Sequence, residues 1–279
     1  MLGFFLVLFS AFMHALWNFL LKKSSNKYIF NYQMHIANLI IFSMVYPVFF
    51  GKYLYYDFYA LKWAFISAIF FSFYHLSLST SYRFADISLV YPVTTSSPFL
   101  VLLLARIFLG EKITFSGFMG VTVIIFGVVI LNVTKIKGSF DGKGLFYAIL
   151  AAFFYSLGAI VDKNGVGVQN FVLYVYALSF FMTIFLTAQS VMTQKGHLVG
   201  FNRNFSTVII SGVILFLSFI TYRYGLTFME VSYASALRQV NALFGFFIAV
   251  FYLKEGFSLK RMLGAIVIFA GAVLIRINI

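Results

Sequence analysis

ISLVYPVTTSSPFLVLLLARIFLGEKITFSGFMGVTVIIFGVVIL, residues 87 to 131, and VSYASALRQVNALFGFFIAVFYLKEGFSLKRMLGAIVIFAGAVLI, residues 231 to 275, are two copies of one pattern. They align without a gap at a constant offset of 144 residues, the difference between 231 and 87. Ser88 falls on Ser232, Ala105 on Ala249, Leu109 on Leu253, Glu111 on Glu255, Gly120 on Gly264 and Gly127 on Gly271. Asp86 falls on Glu230. A fainter echo, offset by 141, pairs SAFMHALWNFLLKK from Ser10 with AAFFYSLGAIVDKN from Ala151. The chain is therefore two similar halves, residues 1–137 and 138–279.

Both halves are too apolar for water. Hydrophobic residues make up 62% of the 279 and charged residues 10%, with a mean hydropathy of +0.99, which leaves too little polar surface to coat a soluble globule. The balance of 20 Lys and Arg against 7 Asp and Glu would suggest nucleic-acid binding in a soluble protein. Here the basic residues mostly lie between apolar runs, where they meet anionic lipid headgroups, so membrane lipids and not nucleic acid are the expected partner. With no cysteine there is no disulfide, no thiolate chemistry and no cysteine metal site. The opening MLGFFLVLFSAF lacks a basic leader region and many further spans follow, so it is read as a retained first helix.

Runs of about 20 apolar residues separated by short polar breaks give ten expected membrane helices. Their boundaries are 3 to 21, 29 to 50, 62 to 82, 88 to 109, 113 to 133, 144 to 161, 170 to 193, 206 to 225, 231 to 253 and 259 to 277. The expected fold is all-α, with five helices per half. Five is odd, so halves that fold alike must cross the membrane in opposite senses. That is an inverted repeat, whose halves meet around a central site and expose it to each side in turn. The odd-numbered connections carry about 12 Lys and Arg, and the even ones with the termini about 7; by charge alone, the odd connections are cytoplasmic.

Several short strings within this pattern resemble the EamA family of the drug/metabolite transporter superfamily. They are HALWNFLLKKS in the first span, a Ser-x-x-Tyr-Pro fourth span ending in Leu-Gly-Glu-Lys, and a ninth span with Ser-Ala-Leu-Arg-Gln closed by Leu-Lys-Glu. The resemblance covers essentially the whole chain. It implies ten helices in two inverted five-helix repeats, a central cavity and secondary transport of small metabolites, often as exporters. It also implies a multi-pass protein of the plasma membrane, in bacteria the inner membrane, with cytoplasmic termini, against the charge tally. It implies no single substrate, since relatives carry amino acids, sugars, nucleotide conjugates and cations. Four-helix multidrug relatives rely on a glutamate in the first helix; this first span has none, with His14 as its one titratable mid-span group.

The polar residues inside the spans are the candidate substrate site, because each is costly in lipid unless it meets protein, water or ligand. His14, Trp17 and Asn18 share one helical face of the first span, either as cavity lining or as an interhelical hydrogen-bond cluster. Tyr155 matches His14 in the second half. His75, Ser79 and Tyr82 form a stripe on the third span, and Asn31, His35 and Asn38 one on the second, matched by Val172, Tyr176 and Ser179. Both stripes are read first as interhelical hydrogen bonding. Tyr91, Pro92, Thr94, Thr95, Ser96, Ser97 and Pro98 predict a kink beside the cavity, where prolines free carbonyls for hydroxyls, water or substrate.

Arg238, followed by Gln239, is read as the one charge well inside a span. It meets an anionic substrate group, serves as an internal hydrogen-bonding post, or snorkels to the interface. A carboxylate or phosphate is its natural ligand. Asp86, Glu111, Glu230 and Glu255 are read as helix-end charges and gate ion pairs, Glu111 with Lys112 and Glu255 with Lys254. Gly120 with Gly127, and Gly264 with Gly271, give small faces for close helix packing, with a homodimer as a further use. The 39 Phe and 18 Tyr keep an aromatic cage for a quaternary ammonium group open. There is no Walker A sequence, no HExxH, no cysteine and no carboxylate expected mid-span, so neither ATP drive, a cofactor nor an enzyme is expected. A secondary transporter of a small molecule is the leading reading, with a lipid-linked sugar flippase as the alternative and an intramembrane enzyme as the reading from another class.

Overall fold

A computed structural model describes residues 1–24, 27–85, 87–132, 142–193, 205–252, 254 and 258–277, with backbone alone at 27, 28, 87 and 88. Asp86, Glu255 and the boundary between residues 137 and 138 lie outside the described residues. The first half contains α1 (Leu2–Lys23), α2 (Lys27–Phe50), a 3-10 turn (Gly51–Tyr53), α3 (Phe58–Phe84), α4 (Ile87–Thr95), α5 (Ser97–Phe108) and α6 (Phe115–Asn132). The second half contains α7 (Gly142–Val166), α8 (Phe171–Thr193), α9 (Phe205–Leu226), α10 (Val231–Arg238), α11 (Asn241–Phe251) and α12 (Leu259–Ile277). The fold is all-helical among the described residues. α4 with α5 forms one membrane crossing, and α10 with α11 another.

Nine described segments are long and apolar enough to cross a membrane. The remaining helix, α12, carries Lys260, Arg261 and Arg276, which leaves Met262–Ile275 as its uncharged stretch. Lys and Arg at both ends of this helix are side chains able to snorkel to an interface, and its apolar run is shorter than those of the nine.

The halves are interleaved. α3 packs on α7 and α8, and in the same manner α9 packs on α1 and α2. α2 packs on α8 and α6 on α12, each with its own repeat counterpart. Asn38 donates from Nδ2 to Ser179 Oγ at 2.5 Å, so residues that correspond between the halves touch. Ser10 Oγ donates to the Ser218 carbonyl at 2.7 Å and Ser218 Oγ to the Ser10 carbonyl at 3.2 Å, tying α1 to α9. Such bonds within a membrane contribute only about 0.6 kcal/mol on average, so close packing of small residues carries more of the association. Ala60, Ala64, Ser67, Ala68 and Ser72 are all buried along α3 and make that packing possible.

The paired glycines face each other inside the chain. A Cβ on Gly120 would lie 3.1 Å from the Gly271 carbonyl oxygen, and one on Gly127 2.9 Å from the Gly264 oxygen. These faces are thus used between α6 and α12 and are not free to hold a second copy. A Cβ on Gly264 would lie 2.6 Å from the Leu131 backbone nitrogen, where no side chain can yield. Gly264→Val is expected to destabilise by about 3 kcal/mol or more, the upper range for overpacking. Gly245→Ala, with nothing within 4 Å of the added Cβ, is expected to be neutral or slightly stabilising. Thermal unfolding of the two variants in detergent checks the contrast.

Candidate functional site

Two helices break in the middle of the bundle, at corresponding places in the repeat. α4 ends at Thr95 and α10 at Arg238, and the 144-residue offset sets Thr94 on Arg238 and Thr95 on Gln239. In the first half the cause is proline. The Pro98 ring excludes the carbonyl four residues back, so one helix cannot run on from α4, while Pro98 itself suits the first turn of α5. The hydroxyls of Thr94, Thr95 and Ser96 turn back onto carbonyls of their own helix, as in Thr95 Oγ1 to the Tyr91 carbonyl at 2.8 Å. The second half has no proline here. Its break is a tightened turn, with Gln239 N–H donating to the Ala236 carbonyl at 2.9 Å and Val240 N–H to that of Leu237 at 3.0 Å.

The breaks border a cavity of about 820 Å³ between the halves. His14, Trp17 and Asn18 of α1 line it, as do His75 and Tyr82 of α3, Tyr91 of α4 and Tyr155 of α7. Arg238 and Gln239 reach it from the end of α10. Ser79 does not: its hydroxyl donates to the Leu76 carbonyl of its own helix at 2.9 Å, a local bond in place of the expected interhelical one. On the side away from the chain ends, the lining reaches Lys22, Asn132 and Arg261, in the end turns of α1, α6 and α12.

On the chain-end side, hydrogen bonds across the bundle seal the cavity. The Glu111 carboxylate accepts the Val231 N–H at 2.7 Å, the Ser232 N–H at 3.1 Å and the Ser232 hydroxyl, so a residue of the first half caps α10 of the second. It acts as a cap and not as the expected ion-pair partner of Lys112. Tyr233 Oη accepts the Thr114 N–H at 3.1 Å, and Asp57 Oδ2 accepts the Asn170 N–H at 3.1 Å. Lys163 Nζ donates to the carbonyls of Leu226 at 2.6 Å and Met229 at 2.9 Å. Glu230, just before α10, has its carboxyl pushed above the usual range, first by partial burial and then by the neighbouring Glu111. Glu111→Ala leaves these α10 donors unpaired and is expected to lower stability by about 2 kcal/mol. An unchanged melting temperature would show the cap to be dispensable.

Arg238 is half-buried, and its guanidinium lies over the Tyr222 ring, 4.3 Å from the ring centre. Its Nη2 stands 3.4 Å from His14 Nδ1, and no described carboxylate pairs with it. Of the readings open from sequence, the geometry leaves it on the cavity wall, where His14 Nδ1 and the Tyr222 ring are its side-chain contacts among the described residues.

Arg238 is not the only charge inside the bundle. Arg223 of α9 and Asp162 of α7 are 3% and 1% exposed and form an ion pair, Nε to Oδ1 at 3.0 Å, at the cavity floor. The Tyr174 hydroxyl donates to the same Oδ1. Asp162 escaped the sequence reading because the sixth span was ended at 161, whereas α7 continues through Asp162-Lys163-Asn164-Gly165 to Val166. One signal was present. Asp162 and Arg223 each lie near the C-terminal ends of spans six and eight, which run in the same direction, so opposite charges share a depth. Tyr74, Tyr222 and Phe219 also line the cavity and were not singled out by sequence.

The sequence model of the family described as the EamA-like transporter family matches residues 1–133 and again 142–277. One solved structure, described only as a crystal structure of a protein, superimposes with a TM-score of 0.80 over 99% of this chain and 96% of that chain. At 15% identity, that likeness shows the fold alone. Among curated proteins none matches.

Proposed function

Because the chain belongs to the EamA-like transporter family, we propose that it is a secondary transporter moving a small metabolite by alternating access through the central cavity. The observation that carries this is the pair of broken helices at corresponding repeat positions, meeting at a cavity that holds charged and hydrogen-bonding side chains among aromatic ones and is closed toward the chain ends. Discontinuous helices at a repeat interface place polar backbone and side chains where a solute can be bound at mid-membrane. The exchange symmetry of the helix contacts supports ten helices in two inverted repeats, residues 1–137 and 138–279. In this reading the described state opens away from the chain ends, and the opposite state requires the Glu111, Tyr233 and Asp57 bonds to part. Export is the proposed direction and the plasma membrane, the inner membrane of a bacterium, the proposed location, both following the resemblance.

The substrate site is assigned to His14, Trp17, Asn18, His75, Tyr82, Tyr91, Tyr155, Arg238 and Gln239, with an anionic group of the substrate on Arg238. Ser79, whose hydroxyl is bonded to its own helix, is left out of this proposed site. The test is a thermal-shift screen in detergent with amino acids, choline-like amines, sugar phosphates and nucleotide sugars, followed by reconstitution. Liposomes preloaded with the stabilising compound are expected to accumulate labelled compound by exchange without ATP. Binding without exchange would overturn transport, and scrambling of a fluorescent lipid in place of solute exchange would move the protein to the flippase reading.

A further inference from the structure

We propose that Lys22 is the latch of the opposite state: when the cavity closes on the side away from the chain ends, its Nζ binds the carbonyls of Tyr82 and Ala85. This rests on the reading of alternating access between two inverted repeats, and it names a residue that sets the balance between the two states.

The observation behind it is a tie on the closed side. Lys163, near the C-terminal end of α7, donates from Nζ to the Leu226 carbonyl at 2.6 Å and to the Met229 carbonyl at 2.9 Å. Leu226 is the last residue of α9, and Met229 lies in the turn before α10. Carbonyls at a helix C-terminus lack a partner within the helix and carry its negative pole, so an ammonium group is their natural ligand. One side chain thereby holds α7 to the α9–α10 corner where the cavity is shut.

The first half carries the same three positions. The 141-residue offset that pairs Ser10 with Ala151 sets Lys22 on Lys163, and the 144-residue offset sets Tyr82 on Leu226 and Ala85 on Met229. Tyrosine differs from leucine and alanine from methionine, but the tie uses only backbone carbonyls, which every residue supplies. The local structure corresponds too. Lys22 lies in the last turn of α1, Tyr82 in the last turn of α3, and Ala85 in the turn before α4.

The two corners differ in how close their walls stand. α7 packs against α9, whereas no comparable packing joins α1 to α3, the corresponding pair, among the described residues. Lys22 and Tyr82 both line the cavity, Lys22 at its mouth. The ammonium group and its acceptors thus belong to the two walls that must meet if the mouth is to close. A second chain-end bond has no such counterpart. Tyr233 Oη accepts the Thr114 N–H, but the offset sets Leu89 on Tyr233, and leucine has no hydroxyl. That bond is lost to the opposite state, which leans correspondingly more on Lys22.

The chain has no cysteine, so spin labels can be placed one pair at a time. Asn164→Cys and Thr227→Cys replace exposed residues whose side chains donate to the carbonyls of Ile160 and Tyr224, close by in sequence. Labelled, the pair reports the separation of α7 from the α9–α10 corner. Pulsed dipolar spectroscopy of the full chain in lipid nanodiscs reads a short distance in the described state and a longer one in the opposite state. Lys163→Ala is expected to raise the long-to-short ratio roughly fivefold or more, and Lys22→Ala added to it to reverse the rise by a similar factor. Lys22→Arg in the same background keeps the charge and the donors and should leave most of the rise in place. If Lys163→Ala does not fold, Tyr233→Phe loosens the same seal and takes its place. A rise that survives Lys22→Ala would overturn the latch while showing that the protein has two states. A rise abolished equally by Lys22→Arg would also overturn it. One unchanging distance in every variant would overturn it as well, whereas the transport reading is judged separately, by exchange of labelled compound in liposomes.

Discussion

Arg238→Gln is expected to weaken ligand binding and counterflow by about ten- to a hundredfold or more while leaving the melting temperature nearly unchanged. The asymmetry follows from what Arg238 touches. A charge-assisted hydrogen bond to a ligand contributes about 1.5–3 kcal/mol, which is roughly a 10- to 150-fold change in affinity. The protein itself loses far less, because the guanidinium has no described carboxylate partner and its chief internal contact is the Tyr222 ring. A half-exposed cation–π contact of that kind is worth about 0.5–1 kcal/mol. Arg238→Lys keeps the charge but not the planar fork and is expected to recover only part of the binding. Counterflow and thermal unfolding, measured on the same preparations, check both halves of the statement. A fall in stability that tracks the loss of binding would make Arg238 an internal post.

Asp162→Leu and Arg223→Leu are each expected to destabilise the protein by about 3–5 kcal/mol, and the double variant by less than the sum. Each single change strands one charge in a site where its partner is at most 3% exposed, with no second ion pair to either residue among the described residues. Removing both discards the desolvation along with the attraction, which leaves the misfit of the leucine side chains as the chief remaining cost. The Tyr174 hydroxyl loses its acceptor in either background that lacks Asp162, so the rescue is incomplete. A double-mutant cycle by denaturant unfolding in mixed micelles reads the coupling directly. Additive losses would mean that the two charges do not stabilise each other.

The two halves, the helical fold and part of the cavity lining could be read from residue order, because they rest on patterns local to each helix. Hydrophobic run length gave the spans, and the 144-residue offset gave the correspondence of Gly120 with Gly264 that later proved to face its partner helix. Polar groups stranded in apolar runs, such as His14 and Arg238, had little choice but to turn inward. What could not be read was pairing across the bundle. Glu111 looked like an interfacial charge beside Lys112, and only the approach of α10 makes it a helix cap. The α10 break has no proline to announce it, unlike its counterpart at Pro98. Asp162 lay one residue beyond an assigned span because Asp-Lys-Asn-Gly reads as a loop in isolation; burial against Arg223 and Tyr174 keeps it helical. Ser79 shows the converse error, a residue on a polar stripe whose hydroxyl is content with its own backbone.

The interleaving of the halves bears on how the chain is made. The main partners of α1, α3 and α6 are α9, α7 and α12, all of which emerge later from the ribosome. While the first half is being inserted, the small-residue faces at Ala60, Ala64 and Gly120 have only lipid against them, and Asn38 and Glu111 have no partner. The nascent first half is thus a waiting intermediate, exposed to membrane quality control until the chain beyond residue 142 arrives to clasp it. The two halves made as separate polypeptides would accumulate only when made together, each acting as the other's chaperone.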